Sequence, residues 1–289
     1  MTLALQGAIV GLFAWVVFRL DERPRLAPDS AYYLAIGMGK HVPRPFCFRQ
    51  YWPWLLSMAT GRHWIWQLVT ALAIVLQGVA MARLSGTWVG AALLLGLPAG
   101  ARFAVRHPVL VDAPTLAVVL VVAVNWSTAP PSIWVAIIGG AVLTSMRENA
   151  GIWLVILTGQ WWATAGILPA LALGWLSKGR DASPGMGDNL WIVSPLGTSL
   201  RQRAGAWLSP GLMLLPWGVV LPLALLTPSW WLVGVLALGY APIFLTSDTA
   251  RVYHWAAPAV ILVALQAPVP EWAWIFLLLA HWFNPYRGA

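Results

Sequence analysis

Charge is scarce in this chain. Only 9% of its 289 residues are Asp, Glu, Lys or Arg, where a soluble domain carries about 25%. An ordinary water-soluble globule is therefore excluded. Acids are rarest of all: Asp21, Glu22, Asp29, Asp112, Glu148, Asp181, Asp188, Asp248 and Glu271 are the whole set. Cysteine is limited to Cys47, which excludes an internal disulfide and any cysteine-rich metal site. The histidines (His41, His63, His107, His254 and His281) lack metal-ligand spacing. No His-Glu-x-x-His, Gly-x-Ser-x-Gly or phosphate-loop motif occurs. A serine or thiol hydrolase has no support, whereas a carboxylate general base stays open. The alternating short strands of a β-barrel are also missing. Leu3 to Leu20 is apolar from its start, without a basic leader or small-residue cleavage site, and reads as a retained helix.

What the chain has in abundance is apolar surface. It is 60% hydrophobic, contains 21 tryptophans and has a mean hydropathy of +0.75. Runs of about 20 apolar residues recur, each enough to cross a bilayer, and tryptophan favours the membrane interface. The expected fold is all-α: one polytopic transmembrane bundle of about ten or eleven helices over residues 1–289. A net charge of +8 could signal nucleic acid. The basic residues are scattered through short loops, however, so membrane topology and anionic headgroups account for them and no nucleic acid is expected.

The expected spans are Leu3–Leu20, Trp64–Met81, Thr87–Ala101, Ala113–Trp126, Ile133–Met146, Trp207–Leu226, Trp230–Leu245, Trp255–Gln266 and Trp272–Phe283. Asn149–Leu176 is too long for one simple crossing, and Gly159-Gln160 predicts a break into two helices. Residues 21–62 form a first large loop with a short helix over Asp29–Met38 and an interfacial segment at Tyr51–Met58. Residues 177–206 form a second polar loop.

Chemistry is concentrated in four places. The first is Asp29, followed by Lys40, His41, Arg44, Phe46, Phe48, Arg49, Tyr51 and Trp52. An acid beside a basic, aromatic strip can deprotonate one molecule and hold the phosphate of another; as a plain structural element, Asp29 caps its helix. The second runs from Arg102 through Arg106 and His107 to Asp112. These are headgroup anchors and a helix cap, or site residues. Arg147-Glu148-Asn149 reads as a neutralising pair in a tight turn. The fourth runs from Asp248 through Arg251 to Tyr253 and His254, between two apolar spans; as a plain structural element, Asp248 and Arg251 are spaced to pair along a helix. Asp21 and Glu22 read as interfacial charges.

The stretch Pro28-Asp29-Ser30-Ala31-Tyr32-Tyr33-Leu34-Ala35, followed by Pro45-Phe46-Cys47-Phe48-Arg49-Gln50-Tyr51-Trp52-Pro53, resembles the first external loop of the polytopic GT-C glycosyltransferases. His107-Pro108-Val109-Leu110-Val111-Asp112-Ala113 looks like that family's acid at the head of a middle helix, and Asp248-Thr249-Ala250-Arg251 with Pro258 is similar to a late arginine-then-proline segment. The chain departs from the pattern in having no second acid directly after Asp29, where Ser30 follows; Asp21-Glu22 supplies an acidic pair immediately after the first helix, where other members keep theirs. The resemblance implies a bacterial inner-membrane enzyme with its active site on the external face. It implies transfer of a sugar from a polyprenyl-phosphate donor to a sugar, lipid or protein acceptor hydroxyl, with inversion. Asp29 is then the catalytic base. Lys40, Arg44, Arg49, Arg106, His107, Asp112 and Arg251 are the expected phosphate and substrate contacts. No metal ligand is assigned, and the need for a divalent metal stays open. The alternatives are a small-molecule or lipid transporter, in which buried charge among apolar helices serves a substrate path, and a non-catalytic assembly factor.

Overall fold

The computed structural model describes residues 1–27, 30–40, 42, 51–56, 62–176, 215–245 and 249–284. Among the described residues every regular element is helical.

Helix α1 (Leu3–Asp21) starts where the Thr2 hydroxyl accepts the Leu5 N–H at 3.3 Å, satisfying an orphan donor of the first turn. It packs lengthwise on α4 (His63–Ser85). Small residues permit that approach: a Cβ on Gly7 would stand 2.6 Å from the carbonyl carbon of Gly78. The opposite face of α1 exposes Leu5, Ile9, Leu12, Phe13 and Val16. Between these helices come α2 (Ser30–Gly37) and the single turn α3 (Tyr51–Leu55). Gly86, at φ +71°, ends α4 in the left-handed conformation glycine adopts without steric cost.

The expected single span over Thr87–Ala101 is broken. Helix α5 (Trp88–Gly96) stops at Leu97, whose extended backbone (φ −61°, ψ 128°) precedes Pro98. Proline lacks an N–H and disfavours helical geometry in the residue before it. A π-helical turn, Pro98–Arg102, then leads into α6 (Phe103–Arg106), and the two arms are bent by 50°.

Next are α7 (Asp112–Thr128), α8 (Ile133–Met146), α9 (Ala150–Thr158) and α10 (Thr164–Leu176). The break expected at Gly159-Gln160 is present, with Gly159 at φ +68°. The chain resumes with α11 (Val220–Leu225), α12 (Trp230–Leu245), α13 (Thr249–Ala264) and α14 (Ala273–Trp282). The main core lies between α5, α7, α9, α11 and α13, around Leu93, Leu116, Leu120, Trp217 and Val260.

Among the described residues two helices, Leu3–Asp21 and Trp64–Ser85, are long and apolar enough to cross a membrane individually, and the bent pair α5–α6 makes a third if counted as one span. Six further helices are apolar but only 10–17 residues long.

Candidate functional site

Helix α7 begins with Asp112, but Asp112 does not serve as its cap. The N-cap position is Val111, and no side chain caps the helix. The Asp112 carboxylate turns toward two other helices instead. Its Oδ1 accepts the indole N–H of Trp255, on α13, at 3.1 Å. The same oxygen lies 3.2 Å from Nη2 of Arg147, at the C-terminal end of α8. Both charged side chains are nearly enclosed, at 7% exposure for Asp112 and 12% for Arg147. Arg147 also stands 3.8 Å from Glu148. The sequence pairs Arg147 with its neighbour; the fold gives it a closer partner in Asp112. An ion out of water needs a counter-ion, and helix packing supplies one from a distant part of the chain.

Asp112 is also part of the wall of a small cavity, together with Thr70, Gly100, Phe103, His107 and His254. Thr70 donates to the Pro108 carbonyl at 3.0 Å, and Gln77 donates to the Ala113 carbonyl at 2.8 Å. These bonds fix the approach to α7 against α4. The His107 ring packs against Phe103, with centroids 4.8 Å apart and the planes tilted by 53°. His254 is 4% exposed, and its Nε2 makes no hydrogen bond with the described residues. Gly100 leaves space in front of that nitrogen, since a Cβ there would come within 3.3 Å of it.

The described residues of the first large loop pack onto this same end of the bundle. Ser30, fully buried, donates its hydroxyl to the Val109 carbonyl at 3.2 Å. Trp52 donates to the Thr115 hydroxyl at 2.8 Å. Tyr33, Val42 and Trp66 close an apolar cluster with Val109, Leu110 and Val111. A second polar network anchors the start of the loop. Arg102 pairs with Asp21 and, at 3.1 Å, with Glu22. Arg106 stands 3.8 Å from Glu22, and its carbonyl accepts the Arg25 N–H at 2.7 Å. Asp21, Glu22, Arg102 and Arg106 are therefore each other's partners, where the sequence left the acids as interfacial charges and the arginines as headgroup anchors or site residues.

Of the residues the sequence singles out, Asp29, Arg44 and Arg49 lie outside the described residues. Lys40 is exposed just beyond α2. Arg106 is held against Glu22, while His107 and Asp112 share the cavity. Arg251 lies in the first turn of α13, three residues before His254; its side chain and Asp248 are outside the description. Sequence reasoning placed His254 at the end of the Asp248–His254 cluster; it missed Trp255 as a partner of this site and gave Arg147 only a local role. One signal was available: an arginine between apolar spans needs an acid, and few acids exist. Among the described residues no group of three or more His, Cys, Asp or Glu side chains gathers to hold a metal ion.

The cavity brings the acid of the buried acid–arginine pair together with two histidines at one end of the bundle, an arrangement that can hold a small polar group. The chain matches no protein-family model, no curated protein and no solved structure at a significant level.

Proposed function

We propose that this chain is a multi-pass membrane glycosyltransferase of GT-C type, moving a sugar from a polyprenyl-phosphate-linked donor to an acceptor hydroxyl. The observation that carries the reading is convergence: the first loop, through Ser30 and Trp52, packs on the same helix ends that bear Asp112, Arg147 and His254. In this reading the acceptor hydroxyl attacks the anomeric carbon while Asp29 takes its proton. The C–O bond to the polyprenyl phosphate breaks as the new glycosidic bond forms, which inverts the anomeric centre. Lys40, Arg44, Arg49 and Arg251 stabilise the phosphate that leaves, arginine doing so through a bidentate, permanently charged fork. Arg106, already beside Glu22, positions the loop. The active end faces outward across a bacterial inner membrane, and the apolar helices shorter than a full span complete the bundle around it.

The test is transfer from a panel of radiolabelled polyprenyl-phosphate sugars in membranes containing the protein. The wild type gives labelled product. Asp29→Asn abolishes product while leaving expression and lipid binding largely intact. Retained turnover in that variant removes Asp29 as the base, and no turnover with any donor removes the reading.

One observation favours a transporter instead. The bent α5–α6 pair puts non-helical backbone at Gly100 against a polar cavity, a feature of helices that line substrate paths. Flux of a sugar or lipid in proteoliposomes that survives Asp29→Asn decides for that alternative.

A further inference from the structure

The cavity beside Asp112 has a chemical character that the charge network alone does not explain. Its inner wall carries a histidine nitrogen, Nε2 of His254, which is buried and makes no hydrogen bond with the described residues. A buried polar atom without a partner carries the full cost of its lost hydration, so its position calls for an explanation, such as a bound ligand or water. The space before it exists because residue 100 is glycine, whose missing Cβ would lie 3.3 Å from that nitrogen and 3.2 Å from the Leu94 carbonyl. Asp112 lines the same cavity, and its Oδ1 receives Arg147 and Trp255.

We infer that this cavity is a hydroxyl subsite, in which one hydroxyl of a sugar inserts between His254 and Asp112. The inference rests on the glycosyltransferase reading for its choice of sugar. A hydroxyl fits either tautomer of His254, because it both donates and accepts. It can give its proton to a carboxylate oxygen and still accept from the imidazole, or the reverse. A phosphate fits worse, since it brings a second anion against Asp112. The space is about the size of one water molecule, so it admits the edge of a ring and not the ring itself. His254 is thus a substrate-binding residue, and Gly100 admits the ligand. Phe103, beside Gly100 in the same wall, offers the apolar surface against which the ring's C–H face rests.

The experiment is thermal unfolding of the purified protein in detergent, titrated with the methyl glycosides of glucose, galactose and mannose, and separately with inorganic phosphate. At least one glycoside raises the wild-type midpoint in a saturable way. Gly100→Ala, which fills the space with a methyl group, weakens that binding at least tenfold, and His254→Phe does the same. If His254→Phe fails to fold, Gly100→Ala carries the comparison. Stabilisation by phosphate and by none of the glycosides overturns the inference, as does a wild type that no glycoside stabilises. Equal glycoside binding in the wild type and Gly100→Ala also overturns it, and indicates that the cavity holds only a structural water. Sugar transfer in membranes is scored separately. Glycoside binding without transfer sinks the enzyme reading and leaves the subsite standing; transfer without glycoside binding does the opposite.

Discussion

Replacing Arg147 by Met isolates the contribution of the buried ion pair. The guanidinium stands 3.2 Å from Asp112, and the two side chains are only 12% and 7% exposed. At that distance, with an effective dielectric near 20, the Coulomb attraction is about 5 kcal/mol. Desolvation of both ions offsets much of this, so the intact pair adds little net stability. Removing one partner is different. The carboxylate keeps the Trp255 N–H but loses the Arg147 cation, and an uncompensated buried charge costs about 3–5 kcal/mol. Arg147→Met should therefore destabilise the protein by that amount in denaturant unfolding of the detergent-solubilised chain. Asp112→Leu combined with Arg147→Met should cost less than the two single changes added together, by about 2 kcal/mol, as expected for residues in direct contact. Arg83→Ala, at an exposed position on α4, is the control and should change little. A loss below about 1 kcal/mol for Arg147→Met, or additivity within about 0.5 kcal/mol in the double variant, would refute the pairing.

Three other outcomes are expected. Gly7→Leu drives a side chain into Gly78 and Val79 backbone atoms that cannot rotate away; overpacking of this kind costs about 1–3 kcal/mol, and the same unfolding assay reads it. Arg102→Ala removes the cation that holds Asp21 and Glu22. Charged hydrogen bonds contribute about 1.5–3 kcal/mol, so trypsin should cut at Arg23 and Arg25 at least tenfold faster on a gel time course. On the proposed glycosyltransferase reading, Arg251→Ala should raise the KM for a lipid-linked donor about tenfold, as loss of one charged phosphate contact would, while Arg180→Ala, in the 177–206 polar loop, leaves it unchanged; equal effects would remove Arg251 from the proposed donor site.

The local elements of this protein are legible in its sequence. Apolar runs and their caps mark α1, α8 and α12 almost to the residue, because Thr2, Ser132 and Ser229 each accept an N–H from the first turn. Gly159 announces the break before α10, since glycine takes a left-handed backbone that other residues resist. Pro98 marks a break too, yet the apolar run continues across it, and hydropathy alone merges α5 with the π-helical turn beyond it. The site is legible only in part. That Asp112, His107 and the first loop share one end of the bundle agrees with their order along the chain. That Arg147 reaches Asp112, that Trp255 donates to it and that His254 faces Gly100 were decided by tertiary structure. The physical reason is the uniformity of the helices. Nearly every face of them is apolar, so hydropathy carries little information about which face meets which neighbour. Small residues such as Gly7, Gly78, Gly140 and Gly166 set the close approaches between helices, and those approaches bring a few isolated charges into contact across long stretches of chain.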